Sequence, residues 1–585
     1  MAPQPPSVGV IARVILAAAT AASVAAAAPP IAAPKLTGLW SAKMRYGPDI
    51  RGSLLLTRTS SGWRADIAGF SVQVVAHGRT LSFALPDRRA SFRGTIDGAI
   101  IHGQWIQEPS FTGGVAYASP VALRRDQSGR WTGDVQPRQD TATYFLPLTP
   151  DQGGGYRTFL SNPERNQGRF DPIHRIELDG NSVRAIGGRT GQADHLLATG
   201  SWSPDDEMLM LPLHGSSVDF RRDERIASPF YARGREGERY RYSPPPALDD
   251  GWAVGSLESV GISRSAIEAF VQKLIDMKPE AGGSQIHSVL IARHGKLVLE
   301  EYFHGYSRDQ THDIRSAGKS FTSILIGAAM LNGVPIREDT PVYRTMLGQL
   351  PAQIDPRKRG MTLRHLLTMN SGFFCDDNND EAPGNEDNID QQTGDPTLYE
   401  FILGLPMDRT PGSRIVYCSG DALLAGGMLR KLSGEPLTDM FDRLVARPLQ
   451  MSSYHLNLTP AGELYTAGGG YFRPRDFMKL PQMMLNGGTW NGHRIVSADW
   501  VRKSGAPLYD LSPQQQFGYF WNSAVYPWKG RKVRAVFAAG NGGQIAMEIP
   551  ELDLVIAFNG GNYSEPALFI PQRVLVPEDI LPAVN

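Results

Sequence analysis

Cysteine is almost absent from this chain: there are two, Cys375 and Cys418, in 585 residues. That excludes a disulfide-dense scaffold and a cysteine-rich zinc module, and leaves one intramolecular pairing. Spacing does not decide between a disulfide and two separate buried thiols, because it does not report whether the Cβ atoms approach. An excess of charge of either sign is missing too, with Lys+Arg and Asp+Glu both at 59. Without a basic patch or run there is no electrostatic footprint for nucleic acid. Long apolar runs are equally scarce. The one at Val14 to Ala28, rich in alanine and preceded by Arg13, is shorter than the roughly 20 residues of a membrane span, and no other candidate span follows. Residues 1–28 read as a secretory signal peptide, so the mature chain is expected to be soluble and periplasmic or secreted. An uncleaved anchor or a disordered tail is the competing reading.

What is present fits a globular protein. Hydrophobic content of 41% and charged content of 20% argue against both disorder and a membrane bundle, and the length predicts two or more domains. From Leu36 to Asp223 short segments alternate, as where Leu81, Phe83 and Leu85 oppose Thr80, Ser82 and Ala84. This is the pattern of half-buried strands. Turn pairs such as Asp97-Gly98 and Asp179-Gly180 punctuate them. An all-β domain is expected over 36–242, a barrel or sandwich, with the stretches before and after Pro137 as two halves of one such unit. Trp105 and Trp131 are expected in its core. Ser243-Pro244-Pro245-Pro246 predicts an extended connector with few contacts, spanning 243–254. Beyond it the texture becomes mixed α/β over 255–585. Ser263 caps a helix to Met277, and Arg293-His294-Gly295-Lys296 joins two strands in a hairpin.

The chemistry concentrates at Asp313-Ile-Arg-Ser316-Ala-Gly-Lys319 and the apolar run that follows. Phe321, Ile324, Leu325 and Ala328 recur at helical spacing, so a buried helix should begin near Ser316. Ser316 and Lys319 are then i and i+3, on one face. A serine hydroxyl needs a base to become a nucleophile, and a lysine in a buried or cationic setting can serve. The helix N-terminus offers free N–H groups to an oxyanion. Ala317-Gly318-Lys319-Ser320 imitates the end of a phosphate loop, but Asp313 stands where that loop requires glycine.

Further motifs follow in order. Pro411 to Ser419 contains Tyr417 and precedes a helix near Asp421. Thr362 to Gly372 reads as a helix and turn, and Gly468-Gly-Gly-Tyr-Phe-Arg-Pro-Arg-Asp476 as a glycine turn before a helix. Gly540-Asn541-Gly542-Gly543-Gln544 precedes the strand-like Asp553 to Phe558. From about Gly255 to Val574 this succession resembles the β-lactamase and penicillin-binding-protein superfamily of serine hydrolases, in its esterase and amidase branch. The resemblance implies an α/β domain with an antiparallel sheet flanked by helices plus a helical subdomain. It also implies an acyl-enzyme formed on Ser316, with Lys319 as activator and Tyr417 as proton relay, and no cofactor. Either Lys319 or Tyr417 could be the base. The oxyanion would be held by the N–H of Ser316 and, by analogy, that of Gln544. Ser419, Asn541, Gly542, Gly543 and Gln544 become the expected substrate-facing residues.

Two departures refine this. The tyrosine motif, usually Y-x-N, ends in Ser419, a variant that resembles the esterase and short-amide-hydrolase branches. The third motif has Asn541 and Gly542 where relatives that cleave β-lactams carry a Lys-Thr or His pair to grip the substrate carboxylate. Small esters are therefore the preferred expected substrates, then short or D-amino-acid amides, with β-lactams disfavoured. The rival is a non-catalytic relative that binds a cell-wall peptide or a signal, although such a site would be free to lose Lys319 or Tyr417. Cys375 follows the Ser371-Gly372 turn and Cys418 adjoins Tyr417, so a bond between them would fix the tyrosine. Residues 376–395 hold eight carboxylates, from Asp376 and Asp377 through Glu386, Asp387 and Asp390 to Asp395. They form either a solvated loop or a cleft rim that favours cationic substrates. The stretch lacks the glycine of a calcium loop, so no metal is expected. His312 and His365 raise a Ser-His-Asp triad, but no G-x-S-x-G accompanies them.

Overall fold

The computed structural model describes residues 36–585 apart from 48, 110–113, 190, 214, 234–238 and 393–394. The expected signal peptide lies outside the described residues.

The N-terminal half is all-β, and it is two barrel-like sheets rather than two halves of one. In the first, Gly52–Thr59 to Ile100–Gln107 run as an antiparallel meander that continues into Tyr117–Arg125 and Trp131–Val135. Trp131–Val135 pairs with both Tyr117–Arg125 and Gly52–Thr59, so the sheet closes on itself. Closure removes exposed strand edges. In the second, Gly38–Arg45 pairs with Thr141–Pro150, and the meander ends at Ser216–Phe220. Reciprocal backbone bonds between Ser41 and Arg221, 2.8 and 2.9 Å, bring its two ends together. Each sheet has its own core, around Leu54, Phe92, Trp105 and Trp131 in one and Trp40, Tyr144, Ile176 and Phe220 in the other. Alternation alone could not reveal this, because the first strand is separated in sequence from the barrel it completes. The turns follow the sequence: Gly98 and Gly180 have φ of +59° and +60°, the left-handed backbone that Asp-Gly hairpins supply without strain.

The C-terminal half is built on a nine-stranded sheet, antiparallel except for the short edge strand Ala253–Val254. One face packs on the helix Arg264–Ile275, capped by Ser263, which accepts from Ala266 N–H. The other face carries the buried helices Gly318–Leu331, Ser419–Ser433 and Pro474–Leu485. The proline connector is less free than its composition predicts. Tyr242 and Trp252 beside it are buried, and Pro246 O accepts a 2.8 Å bond from Arg475.

The halves also share a sheet. Tyr454–Asn457 adds to the barrel strand Tyr117–Arg125, with Leu456 opposite Ala118 and Asn457 opposite Tyr117, and carries Gly470–Phe472 and His312–Asp313 beyond it. An Arg93–Asp439 ion pair and a 2.7 Å bond between Ser119 and His455 reinforce the junction. The N-terminal barrels are thus pinned to the strands that lead into Ser316.

Within the large sheet Glu548 is buried and its Oε2 has no hydrogen-bond partner among the described residues, and burial raises its pKa from 4.5 to about 8. The unfolded chain releases this proton near pH 4.5 while the folded chain retains it, so stability falls as pH rises from 4.5 to about 8. Glu548→Gln should remove that share of the slope. The check is Tm at pH 5 and pH 9, where the variant gains on the parent at the higher pH; an unchanged difference would contradict the assignment.

Candidate active site

Ser316 lies in a tight turn, Arg315–Ala317, that runs into the helix Gly318–Leu331. Two glycine backbones hold this turn. A Cβ at Gly540 would meet Ile314 O at 2.1 Å, and one at Gly468 would meet Arg315 O at 2.8 Å and Ser316 Cα at 3.2 Å. Both positions need glycine because backbone passes where a side chain would sit. Arg315 itself has φ of +48°, a conformation that an arginine adopts only when its surroundings enforce it. Here its guanidinium is anchored to Asp313 at 3.0 Å and lies over Tyr563.

Lys319 sits behind the serine and is 2% exposed. Its Nζ donates to Ser316 Oγ at 3.0 Å and lies 5.1 Å from the centre of the Tyr417 ring. Burial works to lower its pKa, but Tyr417, Glu386 and Asp377 outweigh this and raise it. The acidic stretch is therefore not a solvated loop throughout. Asp377 N–H donates to Tyr417 O at 3.0 Å, and Asp377 Oδ2 accepts from both the N–H (2.9 Å) and the hydroxyl (2.7 Å) of Ser419. Glu386 lies 3.1 Å from the same hydroxyl and accepts from Tyr465 at 2.9 Å. Burial lifts Asp377 to about 6 against the pull of Lys319, with Glu386 adding to the rise. Cys375 and Cys418 form a disulfide with Cα atoms 5.5 Å apart, which clamps the start of the acidic stretch to the segment that carries Tyr417.

Ser316 opens onto a cavity of about 420 Å³ whose lining includes Arg315, Glu386, Asp387, Asp390, Tyr465, Tyr471 and Asn541. The expected substrate-facing set is only partly there. Of Ser419, Asn541, Gly542, Gly543 and Gln544, Asn541 alone reaches the cavity. Ser419 is fully buried and its hydroxyl is committed to Asp377 and Glu386. Gln544 is also fully buried; its amide donates to Gly560 O at 2.6 Å and accepts from Asn559. It lies across the hairpin from Gly540. Gly542 and Gly543 form the turn between them, both at positive φ. Neither histidine serves Ser316. His312 has both ring nitrogens occupied, by His287 and its neighbour's carbonyl, and His365 caps the N-terminus of the helix Leu363–Leu367. Among the described residues no group of three or more His, Cys, Asp and Glu is placed to hold a metal ion. Sequence reasoning missed Arg138, Glu164 and Arg165, which reach the cavity from the N-terminal half, some 150 to 200 residues from Ser316.

The Beta-lactamase family model matches residues 269–563. The chain belongs to the beta-lactamase family. Among curated relatives it is similar to the 6-aminohexanoate-dimer hydrolase of Paenarthrobacter ureafaciens, 22% identical over 245 residues, which is 40% of this chain and 61% of that protein. The match thus spans about three fifths of the relative's length. Among solved structures it is similar to a D-stereospecific amidohydrolase from Streptomyces sp., with 16% identity, TM-score 0.40, and coverage of 49% of this chain and 93% of the other. It is also similar to the octameric penicillin-binding protein homologue from Pyrococcus abyssi, with 19% identity, TM-score 0.42, and coverage of 54% and 79%. The matched beta-lactamase segment contains Ser316, Lys319, Tyr417 and Asn541 and leaves out both barrels.

Because Gly540 touches the Arg315–Ala317 turn, Gly540→Ala should displace Ser316. Labelling of Ser316 by a fluorophosphonate should slow at least tenfold while the variant remains folded by circular dichroism. Labelling at the parent rate would show that the close approach does not position the serine.

Proposed function

We propose that the protein is an exported serine hydrolase that forms an acyl-enzyme on Ser316, acting on small carboxylic esters first and on short or D-amino-acid amides second. The observation that carries this reading is the 3.0 Å bond from a buried Lys319 to Ser316 Oγ with Tyr417 beside it. A structural serine and lysine would have no reason to be paired inside a cavity wall, because burying an ammonium costs several kcal/mol unless it is compensated. Lys319, its pKa raised, holds its proton in the resting state and donates to Ser316. The proton that leaves Ser316 passes to Tyr417 Oη as Tyr417 gives its own hydroxyl proton to the departing alcohol or amine, so the tyrosine ends the step neutral, as it began. The N–H of Ser316 receives the developing oxyanion. The second donor is the N–H of Asn541, which follows Gly540 at the nucleophile turn and reaches the cavity, in place of the one expected at Gln544.

Esters come before amides because their leaving group needs less protonation. The short-amide alternative is supported by the curated relative, named as a hydrolase of the 6-aminohexanoate dimer. The third-motif turn presents Asn541 and no cation, so β-lactam hydrolysis is not part of the proposal. Export is supported by the 1–28 segment and by the disulfide, since such bonds persist in oxidising compartments. The described residues contain no helix long and apolar enough to cross a membrane. The second reading, a non-catalytic binding protein for a cell-wall peptide, has no observation in its favour at Ser316, Lys319 or Tyr417.

The test is steady-state turnover of short p-nitrophenyl esters. Ser316→Ala and Lys319→Ala should each lose at least about a thousandfold in kcat, and Tyr417→Phe at least about a hundredfold, with unfolding curves close to the parent. Full activity in Ser316→Ala would sink the mechanism, and full activity in Tyr417→Phe would remove the tyrosine from it.

A further inference from the structure

The catalytic cavity is not made by the matched beta-lactamase segment alone. Arg138 and Arg165 enter it from the N-terminal half, alongside Ser316. Both are half-buried, and among the described residues neither guanidinium forms an ion pair or donates a side-chain hydrogen bond. Other charged groups of the cavity do have partners: Arg315 has Asp313, Glu386 has Ser419 and Tyr465, and Asp390 has Tyr465. Glu164 also lines the cavity, but its carboxyl oxygens accept from Thr143 N–H and the Asn162 amide.

Arg138 is held in place without a direct ion pair, although the buried Asp49 is close enough to feel its charge. Its guanidinium lies 4.9 Å from the ring centres of both Tyr117, on the barrel strand, and Tyr471, on the glycine-turn strand. Stacking between two rings fixes the plane of the fork and leaves its N–H edge available. Arg165 lies over Tyr46. Burial and Asp313 raise the pKa of Tyr471, whereas Arg138, Arg165 and Arg315 pull it down, so three cations converge on that ring. The lining also includes Glu386, Asp387 and Asp390, contributed by the C-terminal half. An anionic group entering the cavity is drawn to Arg138 and Arg165, two donors of bidentate geometry that stand without a hydrogen-bonded partner among the described residues.

We propose that the N-terminal barrels complete the active site and that Arg138 and Arg165 bind a carboxylate of the substrate, remote from the carbonyl that Ser316 attacks. The substrate class is then an ester or amide whose acyl part ends in a carboxylate. This places on the barrels the anion grip that the third-motif turn, with Asn541 and Gly542, does not offer. It also gives the barrels a reason to be pinned to the catalytic half through Leu456 and Ala118. The inference rests on the hydrolase reading for its substrate, but the carboxylate site itself does not need turnover to be detected.

Two measurements separate the inference from that reading. The first compares kcat/KM for p-nitrophenyl hydrogen glutarate and p-nitrophenyl valerate, which differ in the terminal carboxylate. The parent should favour the glutarate by about tenfold or more, and Arg138→Ala and Arg165→Ala should each reduce that ratio by about tenfold, mainly through KM. Arg165→Lys should keep part of the preference. The second is a thermal melt of Ser316→Ala protein with increasing glutarate. Tm should rise and saturate, and adding Arg138→Ala or Arg165→Ala should abolish the rise. Turnover of both esters with no preference, or a preference untouched in both variants, would overturn the inference alone. No turnover of either ester together with an arginine-dependent glutarate shift would overturn the hydrolase reading and keep the carboxylate site. No glutarate shift would overturn the site.

Discussion

A lysine ammonium buried directly behind a serine hydroxyl is the constraint around which this catalytic half is arranged. At 2% exposure Lys319 has lost almost all its water, and an uncompensated buried charge would be prohibitive. The compensation comes from several places. Ser316 accepts one of its hydrogens, and Asp377 and Glu386 supply the opposite charge. Those carboxylates must themselves be brought inside, and the two Ser419 bonds to Asp377 Oδ2 and the Tyr465 bond to Glu386 offset part of that cost, while Asp377 Oδ1 is left without a hydrogen-bond partner among the described residues. The Cys375–Cys418 bond holds the acidic stretch and the segment that carries Tyr417 together. The unusual third residue of the tyrosine motif follows from this. A serine hydroxyl in place of an asparagine amide lets the carboxylates close over the motif, and turns a substrate contact into part of the lysine's support.

The same region shows why the turn that carries Ser316 tolerates no side chain on either flank. The strand ending at Gly540 and the turn at Gly468 both approach the backbone of Ile314 to Ser316 within van der Waals limits. Arg315 accepts a left-handed φ of +48° between them, a local strain that the surrounding packing sustains. Positioning of the serine thus depends on backbone contacts between segments more than 150 residues apart.

The catalytic half was legible because its information is local. Ser316 and Lys319 lie one helical turn apart, the apolar spacing of Phe321, Ile324 and Leu325 marks the buried helix, and His294-Gly295 marks a hairpin turn. The all-β character of the N-terminal half was legible for the same reason. Its division into two barrels was not, because Gly38–Arg45 crosses the first barrel's whole sequence to pair with Thr141–Pro150. The substrate-facing set was also only partly legible. Motif order places Ser419 and Gln544 near the nucleophile, but whether a side chain turns to the cavity or into the core depends on its partners, here Asp377 and Gly560. Arg138 and Arg165 carry no local mark at all. Their place in the cavity comes from strand pairing between Tyr117–Arg125 and Tyr454–Asn457, which no spacing along the chain reports.

The central claim is that Ser316 is an activated nucleophile. Its most direct test is the intact mass of the purified protein after brief exposure to a fluorophosphonate, followed by peptide mapping. The account predicts a single adduct, mapped to Ser316, formed rapidly in the parent protein and at least a hundredfold more slowly in Lys319→Ala. A folded protein that stays unlabelled, or an adduct carried on another residue, would contradict it.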